Sequence, residues 1–345
     1  MDSGHRPRIV LYGIGQYGKR VAGIAAAKGF PIVGAVNRAG DKVGQDLGRV
    51  AGLDLDLGVR VEDCDRADYR AMDADVGIVT MTDYLDVNFP AYERLLGAGT
   101  NVLCIATQAS YPQAANPDLA DRLDNLARQN QVTFTGTSVW DMTRIWSGIL
   151  VAAPCSELRS MRMTSITNVG RAGVHALHYV GVGQTQAEFA AHMEAGLGPL
   201  GGFYSTVVQQ VLMHLGYTVT TVDEYNEPVL FDEPIDCPPL DRVIEPGIAA
   251  GTRIVSTMAT AEGVTADMHV ELRLTREGER EHTEWAVEGR PPCKVRIDRR
   301  DSVHHSAAAL FNRIPDVIAA APGIQLVSQL GVMKPSALLA NKGIH

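Results

Sequence analysis

Three glycines near the start of the sequence have a spacing that suits binding of a phosphate group. Gly13, Gly15 and Gly18 follow a short apolar run, residues 9–12, and precede a helix-prone stretch, residues 19–28. In such a segment a strand ends in a tight turn, the second glycine admits a pyrophosphate, and the third lets helix and strand pack closely. The N-terminus of that helix would face the phosphates. The residues predicted to contact a dinucleotide here are Gly13, Gly15, Gln16, Tyr17 and Gly18.

The residues after the second predicted strand, residues 32–36, bear on the choice of dinucleotide. An acidic side chain at this point would bind the adenosine ribose hydroxyls, whereas a basic one accommodates a 2′-phosphate. The sequence has Asn37 and Arg38, with Lys42 four residues further on, and no acid directly after the strand. We therefore predict that Asn37 and Arg38 contact the cofactor, and that NADP(H) is preferred, with NAD(H) as an alternative.

Further cofactor contacts are predicted where other buried strands end, because dinucleotides lie across the carboxyl ends of parallel strands. Residues 75–80 and 101–105 are apolar runs of this kind. The predicted contacts are Thr80, which ends the first run, Met81, which follows it, and Ala106, which follows the second run.

Composition describes an ordinary globular protein and excludes several classes of function. Of 345 residues, 46% are hydrophobic and 21% charged, and the formal net charge is −9, which argues against nucleic acid as a partner. Apolar stretches are shorter than the ~20 residues that a membrane helix needs. The polar residues 1–7 show no secretory signal, and an odd count of five scattered cysteines favours reduced thiols. We expect a cytoplasmic protein without a metal site.

The pattern of predicted elements indicates an α/β protein. Residues 1–139 alternate strands with helices, which predicts a doubly wound parallel sheet, the Rossmann fold. Residues 140–303 begin with a predicted amphipathic helix and later alternate apolar with polar residues, which predicts an α+β domain on a mostly antiparallel open sheet. Residues 304–345 are predicted to pack back onto the first domain. A second subunit covering the open sheet would make the protein a homodimer.

Five segments, taken in order, resemble a known family. They are the glycine pattern with residues 39–44, residues 101–112, residues 116–120, residues 180–185 with 188–189, and residues 312–318 with 322–323. The chain is similar to the 2,4-diaminopentanoate dehydrogenases and native amine dehydrogenases of the dihydrodipicolinate-reductase-like group. The resemblance implies a pyridine-nucleotide enzyme that interconverts an amine with a ketone or aldehyde plus ammonia, by hydride transfer to an imine. The candidate site residues are Gln108, Tyr111 and His178 for catalysis, Trp140, Asn168 and Tyr179 for the substrate pocket, and Asn312 for the cofactor.

Gln108 departs from the family pattern, because a catalytic glutamate is expected at its position. An amide can orient an amine by hydrogen bonding, but it cannot take a proton at neutral pH. Three interpretations remain open at this point. The base has been lost, naturally or by engineering; another group such as His178 or Asp141 replaces it; or the substrate needs no base there.

Two other functions compete with amine dehydrogenation. The first is reduction of a cyclic imine, as in dihydrodipicolinate reductase, although the paired-histidine, lysine and Ser-Gly-Thr signatures of that enzyme are not visible. The second is a catalytically silent NADP-binding protein, which the missing acid would permit. Turnover of NADPH with a ketone and ammonia would distinguish the enzyme from the silent protein.

Overall fold

A computed structural model describes residues 6–171, 173–198 and 203–335 of the chain. The chain divides into two compact units: unit 1 is Met1–Met142 with Asp301–His345, and unit 2 is Thr143–Arg300. The predicted boundaries at 139/140 and 303/304 lie close to this division. The last ten residues of the predicted C-terminal segment, 336–345, lie outside the described residues.

Unit 1 is built on a seven-stranded sheet in the order β15-β6-β5-β4-β1-β2-β3, in which all neighbouring strands are parallel. Its strands are β1 (Ile9–Tyr12), β2 (Ile32–Asn37), β3 (Val61–Asp63), β4 (Val76–Val79), β5 (Asn101–Cys104), β6 (Thr133–Gly136) and β15 (Gly323–Ile324). Its helices are α1 (Gln16–Lys28), α2 (Leu47–Ala51), α3 (Tyr69–Met72), α4 (Leu85–Gly97), α5 (Pro112–Ala115), α6 (Pro117–Gln129) and α11 (Ser302–Ala319), and Thr107–Ser110 form a 3₁₀ turn.

Helices cover both faces of this sheet, because its central strands are apolar on both sides. Ile9 and Leu11 of β1 face a core cluster formed with α1 and α11. Val10 and Tyr12 point to the opposite face, where they belong to a cluster with α4 and α6. Side chains that alternate between two covered faces explain why the buried strands are near-continuous apolar runs.

Unit 2 contains a six-stranded sheet in the order β14-β13-β7-β12-β11-β8, in which only β7 and β12 pair in parallel. Its strands are β7 (Glu157–Asn168), β8 (Val219–Leu230), β11 (Ala249–Thr260), β12 (Thr265–Arg273), β13 (Glu281–Arg290) and β14 (Cys293–Arg299), and a small separate sheet pairs β9 (Ile235–Cys237) with β10 (Arg242–Ile244). Its helices are α7 (Ser147–Ala152), α8 (Val174–Tyr179), α9 (Gln186–Glu194) and α10 (Ser205–His214).

These two sheets confirm the predicted fold class, a Rossmann-like parallel sheet with a second, mostly antiparallel sheet. Two elements differ from what the sequence indicates. The glycine-punctuated segment 168–184, whose pattern is typical of a loop, contains the short helix α8, and the residues of β8 show no strand pattern. The strand β8 lies at an edge of its sheet, and most of its residues are at least partly exposed, so it lacks a clean apolar alternation.

No helix within the described ranges is both long enough and apolar enough to span a membrane.

Candidate functional site

The glycine turn after β1 has the geometry that its spacing predicts. Gly13 has φ +90°, a conformation that favours glycine, and directs the chain toward α1. A Cβ atom on Gly18 would lie 2.1 Å from the Gly13 carbonyl oxygen, so only glycine lets α1 approach the turn this closely. Gly15 is exposed, and a Cβ there would meet no atom within 4 Å. The backbone at Gly15 is therefore open to a ligand, as a pyrophosphate site requires.

Three side chains hold this turn in place. The Asn37 amide oxygen accepts a hydrogen bond from the Ile14 N–H at 3.2 Å, and Lys42 Nζ donates to the Ile14 carbonyl at 2.6 Å. The Thr80 hydroxyl donates to the Gly13 carbonyl at 2.6 Å. Thr80 and Asn37, predicted as cofactor contacts, therefore also stabilise the turn. The Lys42 ammonium group is hydrogen-bonded to a backbone carbonyl.

Arg38 and Met81 lie on the exposed rim beside the turn. The Arg38 side chain makes no hydrogen bond or ion pair with any residue that the structure describes, and it is exposed at the end of β2. Met81 is 42% exposed, and its Cγ lies 3.0 Å from the position that a Cβ on Gly13 would occupy. An unpaired guanidinium beside a phosphate-binding turn is suited to bind a second phosphate group.

The loops after β4 and β5 bind each other through three polar groups. Asp83 Oδ1 accepts hydrogen bonds from the Thr107 hydroxyl at 2.7 Å and from the Thr107 N–H at 3.1 Å. The Gln108 side-chain oxygen accepts a hydrogen bond from the N–H of Leu85, the first residue of α4, at 2.7 Å. Gln108 therefore satisfies one of the N–H groups that a helix leaves unpaired at its N-terminus.

A buried hydrogen-bond network between α4 and β5 stabilises the loop after β4. The Tyr92 hydroxyl lies 2.8 Å from Cys104 Sγ, and Asn88 Nδ2 donates to the Tyr92 hydroxyl at 3.2 Å and to the Thr82 carbonyl at 2.8 Å. Burial raises the pKa of the Cys104 thiol to about 12, so the thiol stays protonated at neutral pH. Cys104 is therefore part of the buried support of this loop.

Asp141, considered above as a replacement for the catalytic base, has both carboxylate oxygens hydrogen-bonded to buried groups. Its two oxygens accept hydrogen bonds from Arg313 Nε at 2.7 Å and Nη2 at 2.8 Å, and the Thr137 hydroxyl donates to it at 2.9 Å. Both side chains of the pair are 0% exposed. Burial alone would lower the pKa of Arg313, but the hydrogen bonds to Asp141 raise it. This pair is structural, and the suggestion that Asp141 acts as a base was wrong.

The remaining predicted site residues of unit 1 range from half-buried to fully buried. Tyr111 ends the 3₁₀ turn after β5, is half-buried against the α4–α6 cluster, and has its pKa raised by burial. Ala106 is fully buried just before that turn. Trp140 is 8% exposed, and its backbone N–H donates to Ser138 Oγ at 3.2 Å. Asn312 is half-buried in the middle of α11.

Unit 2 contains the other three predicted residues. His178 is exposed in α8. The carbonyl oxygen of its neighbour Tyr179 lies 3.2 Å from His192 Nε2. Asn168 ends β7, and its side-chain oxygen accepts a hydrogen bond from the Gly170 N–H at 2.9 Å. Asn168 therefore shapes the turn that follows its strand.

Two other places in unit 1 have ligand-like features but do not match this site. An apolar groove lies between α1 and residues 53–59, but it borders Pro31 and Ile32, at the amino end of β2. Asp63, Cys64 and Asp65 could offer metal ligands, the only such group among the described residues. However, the Asp65 carboxylate binds Arg94, and Asp63 accepts a hydrogen bond from the Asp65 N–H at 3.1 Å.

Sequence reasoning missed Asp83 and Thr107, a hydrogen-bonded polar pair beside Gln108. One signal was present, since Asp83 follows shortly after Met81, at the end of a strand already predicted to contact the cofactor. The hydrogen bond from the Thr107 hydroxyl to Asp83 joins two separate loops, however, and only the pairing of β4 with β5 brings those loops together.

Comparisons with known proteins agree with this geometry. The family model described as the 2,4-diaminopentanoate dehydrogenase C-terminal domain matches residues 148–343. The chain is 23% identical to 2,4-diaminopentanoate dehydrogenase of Acetoanaerobium sticklandii, over 97% of this chain and 95% of that protein. It is 28% identical to the structure of an amine dehydrogenase from Mycobacterium smegmatis, with a TM-score of 0.84, over 97% of this chain and 98% of that one.

More distant structures share only the fold. A probable dehydrogenase from Thermotoga maritima has 11% identity and a TM-score of 0.58, over 94% of this chain and 92% of that one. A biliverdin reductase from Synechocystis has 12% identity and a TM-score of 0.55, over 94% of each chain. The family match covers more than half of the chain. The chain therefore belongs to the 2,4-diaminopentanoate dehydrogenase family, and it is an oxidoreductase.

Proposed function

We propose that the protein is an NADP(H)-preferring amine dehydrogenase that reductively aminates a small ketone or aldehyde with ammonia, and oxidises the amine in reverse. The observation that carries this proposal is the open glycine turn, with Arg38 exposed beside it, in a chain related to amine-oxidising dehydrogenases over nearly its whole length. A panel of ketones with ammonia, assayed for oxidation of NADPH and NADH, tests it. Binding of NADPH without turnover of any substrate would favour a catalytically silent protein instead.

The residues of unit 1 would hold the cofactor through its phosphates and ribose. The backbone around Gly15 and the first turn of α1 would bind the pyrophosphate, and Arg38 would bind the 2′-phosphate. When bound, the nicotinamide ring accepts or supplies the hydride. The protein's own contribution is to hold the reacting carbon at a close distance, exclude water and transfer a proton.

Gln108 is proposed to orient the substrate rather than to take its proton. Its side-chain oxygen accepts the hydrogen bond from Leu85, which leaves its Nε2 group to donate. An amide N–H group can donate to a carbonyl oxygen, and in doing so it would orient and polarise a ketone. This assignment explains how an amide at position 108 is compatible with reductive amination.

Arg38→Asp is expected to weaken NADPH binding selectively, because it replaces the unpaired cation beside the turn with an anion. A lost charged hydrogen bond is worth about 1.5–3 kcal/mol, or roughly tenfold to hundredfold in the dissociation constant. The measurement is fluorescence titration with NADPH and NADH. Arg122→Asp makes the same charge change on α6, in an exposed pair with Glu93, and should leave the ratio of the two affinities unchanged. An unchanged ratio in Arg38→Asp would remove Arg38 from the phosphate site.

Gln108→Glu is expected to raise the rate of reductive amination by on the order of tenfold or more, because the gain of a proton acceptor should outweigh the loss of the amide N–H donor. The fold should tolerate the change, because a carboxylate can accept the same hydrogen bond from Leu85 and is favoured at a helix N-terminus. Steady-state rates over several ketones at high ammonia provide the measurement. If these rates do not change, position 108 does not contact the reacting nitrogen.

A further inference from the structure

The ends of β4 and β5 carry a carboxylate with one unused oxygen. Asp83 is exposed and lies in the loop after β4, the strand that neighbours β5 in the sheet. Its Oδ1 accepts both hydrogen bonds from Thr107, through the hydroxyl and the N–H. Its Oδ2 makes no hydrogen bond with any residue in the described part of the chain. Asp83 can therefore receive a proton along the hydrogen bond from the Thr107 hydroxyl to Oδ1, while Oδ2 stays open to solvent.

Three other polar groups near these strand ends, Asp141, Asp86 and Gln108, do not combine an exposed carboxylate with a hydroxyl that donates to it. Asp141, after β6, is buried in its pair with Arg313. The exposed Asp86 lies in the first turn of α4, where its Oδ1 accepts a hydrogen bond from the Val87 N–H at 2.8 Å. Gln108 is neutral and lacks a basic oxygen at neutral pH. Asp83 is therefore the carboxylate best placed to accept a proton at this edge of the sheet.

Asp83 also lies at the strand ends where the nicotinamide half of a dinucleotide would bind. The glycine turn follows β1, and the residues that select for a 2′-phosphate follow β2, so the adenosine half would lie over β1–β3. A doubly wound sheet binds dinucleotides with two halves, one on each side of the point where the strand order reverses. That point lies between β1 and β4, so the nicotinamide half would lie over β4, β5 and β6.

We propose that Asp83, acting through the Thr107 hydroxyl, accepts the proton of the substrate ammonium, an inference that rests on the proposed function. The ammonium N–H bond breaks as its proton binds Thr107 Oγ1, and the original hydroxyl proton of Thr107 passes to Asp83 Oδ1. The freed nitrogen lone pair would then form the C=N bond, and a bound oxidised nicotinamide would supply the acceptor for the hydride that leaves the carbon bearing this nitrogen. The product is an iminium, which water converts to the ketone and ammonium. Reductive amination follows the same steps in reverse.

Asp83→Asn tests this role with little disturbance of the fold, because an amide oxygen can still accept both hydrogen bonds from Thr107. We expect kcat for amine oxidation to fall on the order of a hundredfold, the lower range for general base catalysis, with little change in the dissociation constant for NADP⁺. Asp86→Asn removes a neighbouring carboxylate and should leave both values unchanged. Thr107→Val should lower kcat as Asp83→Asn does, and Thr107→Ser should preserve it.

A second measurement separates proton transfer from a structural role. Formate added to Asp83→Ala is expected to restore part of the lost kcat in a concentration-dependent manner, because it supplies a small carboxylate to the vacated space. Absence of restoration at all formate concentrations would count against the proposal.

Three further results would overturn the role of Asp83, and they are distinguishable. An Asp83→Asn enzyme as active as the wild type would overturn it alone and leave the proposed function intact. A fall in activity that follows weakened NADP⁺ binding would show that Asp83 holds the cofactor rather than the proton. A wild-type protein that binds NADPH but oxidises no amine would overturn the proposed function, and this role with it.

Discussion

Asp141→Ala is expected to lower the free energy of unfolding by about 3–5 kcal/mol, because it leaves the Arg313 guanidinium buried without its main partner. Arg313 is fully buried and hydrogen-bonded to both Asp141 oxygens, so water cannot replace the lost carboxylate. The loss also leaves the Thr137 hydroxyl without its acceptor. Chemical denaturation of the full chain, followed by the shift of its transition midpoint, measures the effect.

Asp316→Ala provides the matched control for this prediction. Asp316 binds the same guanidinium through Nη1 at 2.8 Å, but its side chain is 31% exposed. Because water can reach the position of Asp316, and because Arg313 keeps both hydrogen bonds to Asp141, the loss of Asp316 should cost far less, on the order of 1 kcal/mol. Equal destabilisation by the two substitutions, or none by Asp141→Ala, would contradict the assignment of Asp141 as a buried structural carboxylate.

Gly18→Ala is expected to weaken NADPH binding by on the order of a hundredfold, since its Cβ would lie 2.1 Å from the Gly13 carbonyl oxygen. Relieving this overlap requires movement of the turn or of α1, and overpacking of this kind costs about 1–3 kcal/mol. Both the melting temperature and the affinity for NADPH should therefore fall. Thermal unfolding and fluorescence titration provide the two measurements.

Two other glycines separate the steric effect from the loss of the binding surface. Gly15→Ala meets no protein atom, so it should leave the melting temperature unchanged but weaken NADPH, whose phosphates need that space. Gly23→Ala lies in the same helix, 3.6 Å from Leu53 Cδ2, and should stabilise the protein by about 0.5–1 kcal/mol without affecting NADPH. Normal NADPH affinity in both Gly15→Ala and Gly18→Ala would show that the cofactor binds elsewhere.

Local patterns in the sequence predicted those features of the fold that depend on local contacts. The conformation of the apolar run before Gly13 and that of the helix-prone residues after Gly18 depend mainly on local sequence. The predicted strand and the predicted helix were both confirmed. The cap of α6 is equally local, since the Asn116 side chain accepts a hydrogen bond from the Leu119 N–H at 3.1 Å. Such features involve residues only a few positions apart, so their spacing carries the information.

Features that depend on long-range pairing were beyond the sequence patterns. The hydrogen bond between Thr107 and Asp83 requires β4 to lie beside β5 in one register. Lys42 belongs to the basic residues near the predicted 2′-phosphate site, yet it binds the Ile14 carbonyl. Its commitment to the turn depends on how the chain folds back after β2, which no spacing along the sequence reports.

The discontinuity of unit 1 has a consequence for the order in which the chain folds during synthesis. Leu310, Phe311, Ile314 and Val317 of α11 bury one face of the parallel sheet, and α11 lies beyond the whole of unit 2 along the chain. The ribosome therefore synthesises all of unit 2 before it synthesises α11, the helix that completes unit 1. Until then, we expect one apolar face of the parallel sheet of unit 1 to remain exposed. A growing chain halted before Asp301 should be digested by protease within its first 142 residues and resist digestion between Thr143 and Arg300. Early resistance of the first segment would show that the sheet closes without its last helix.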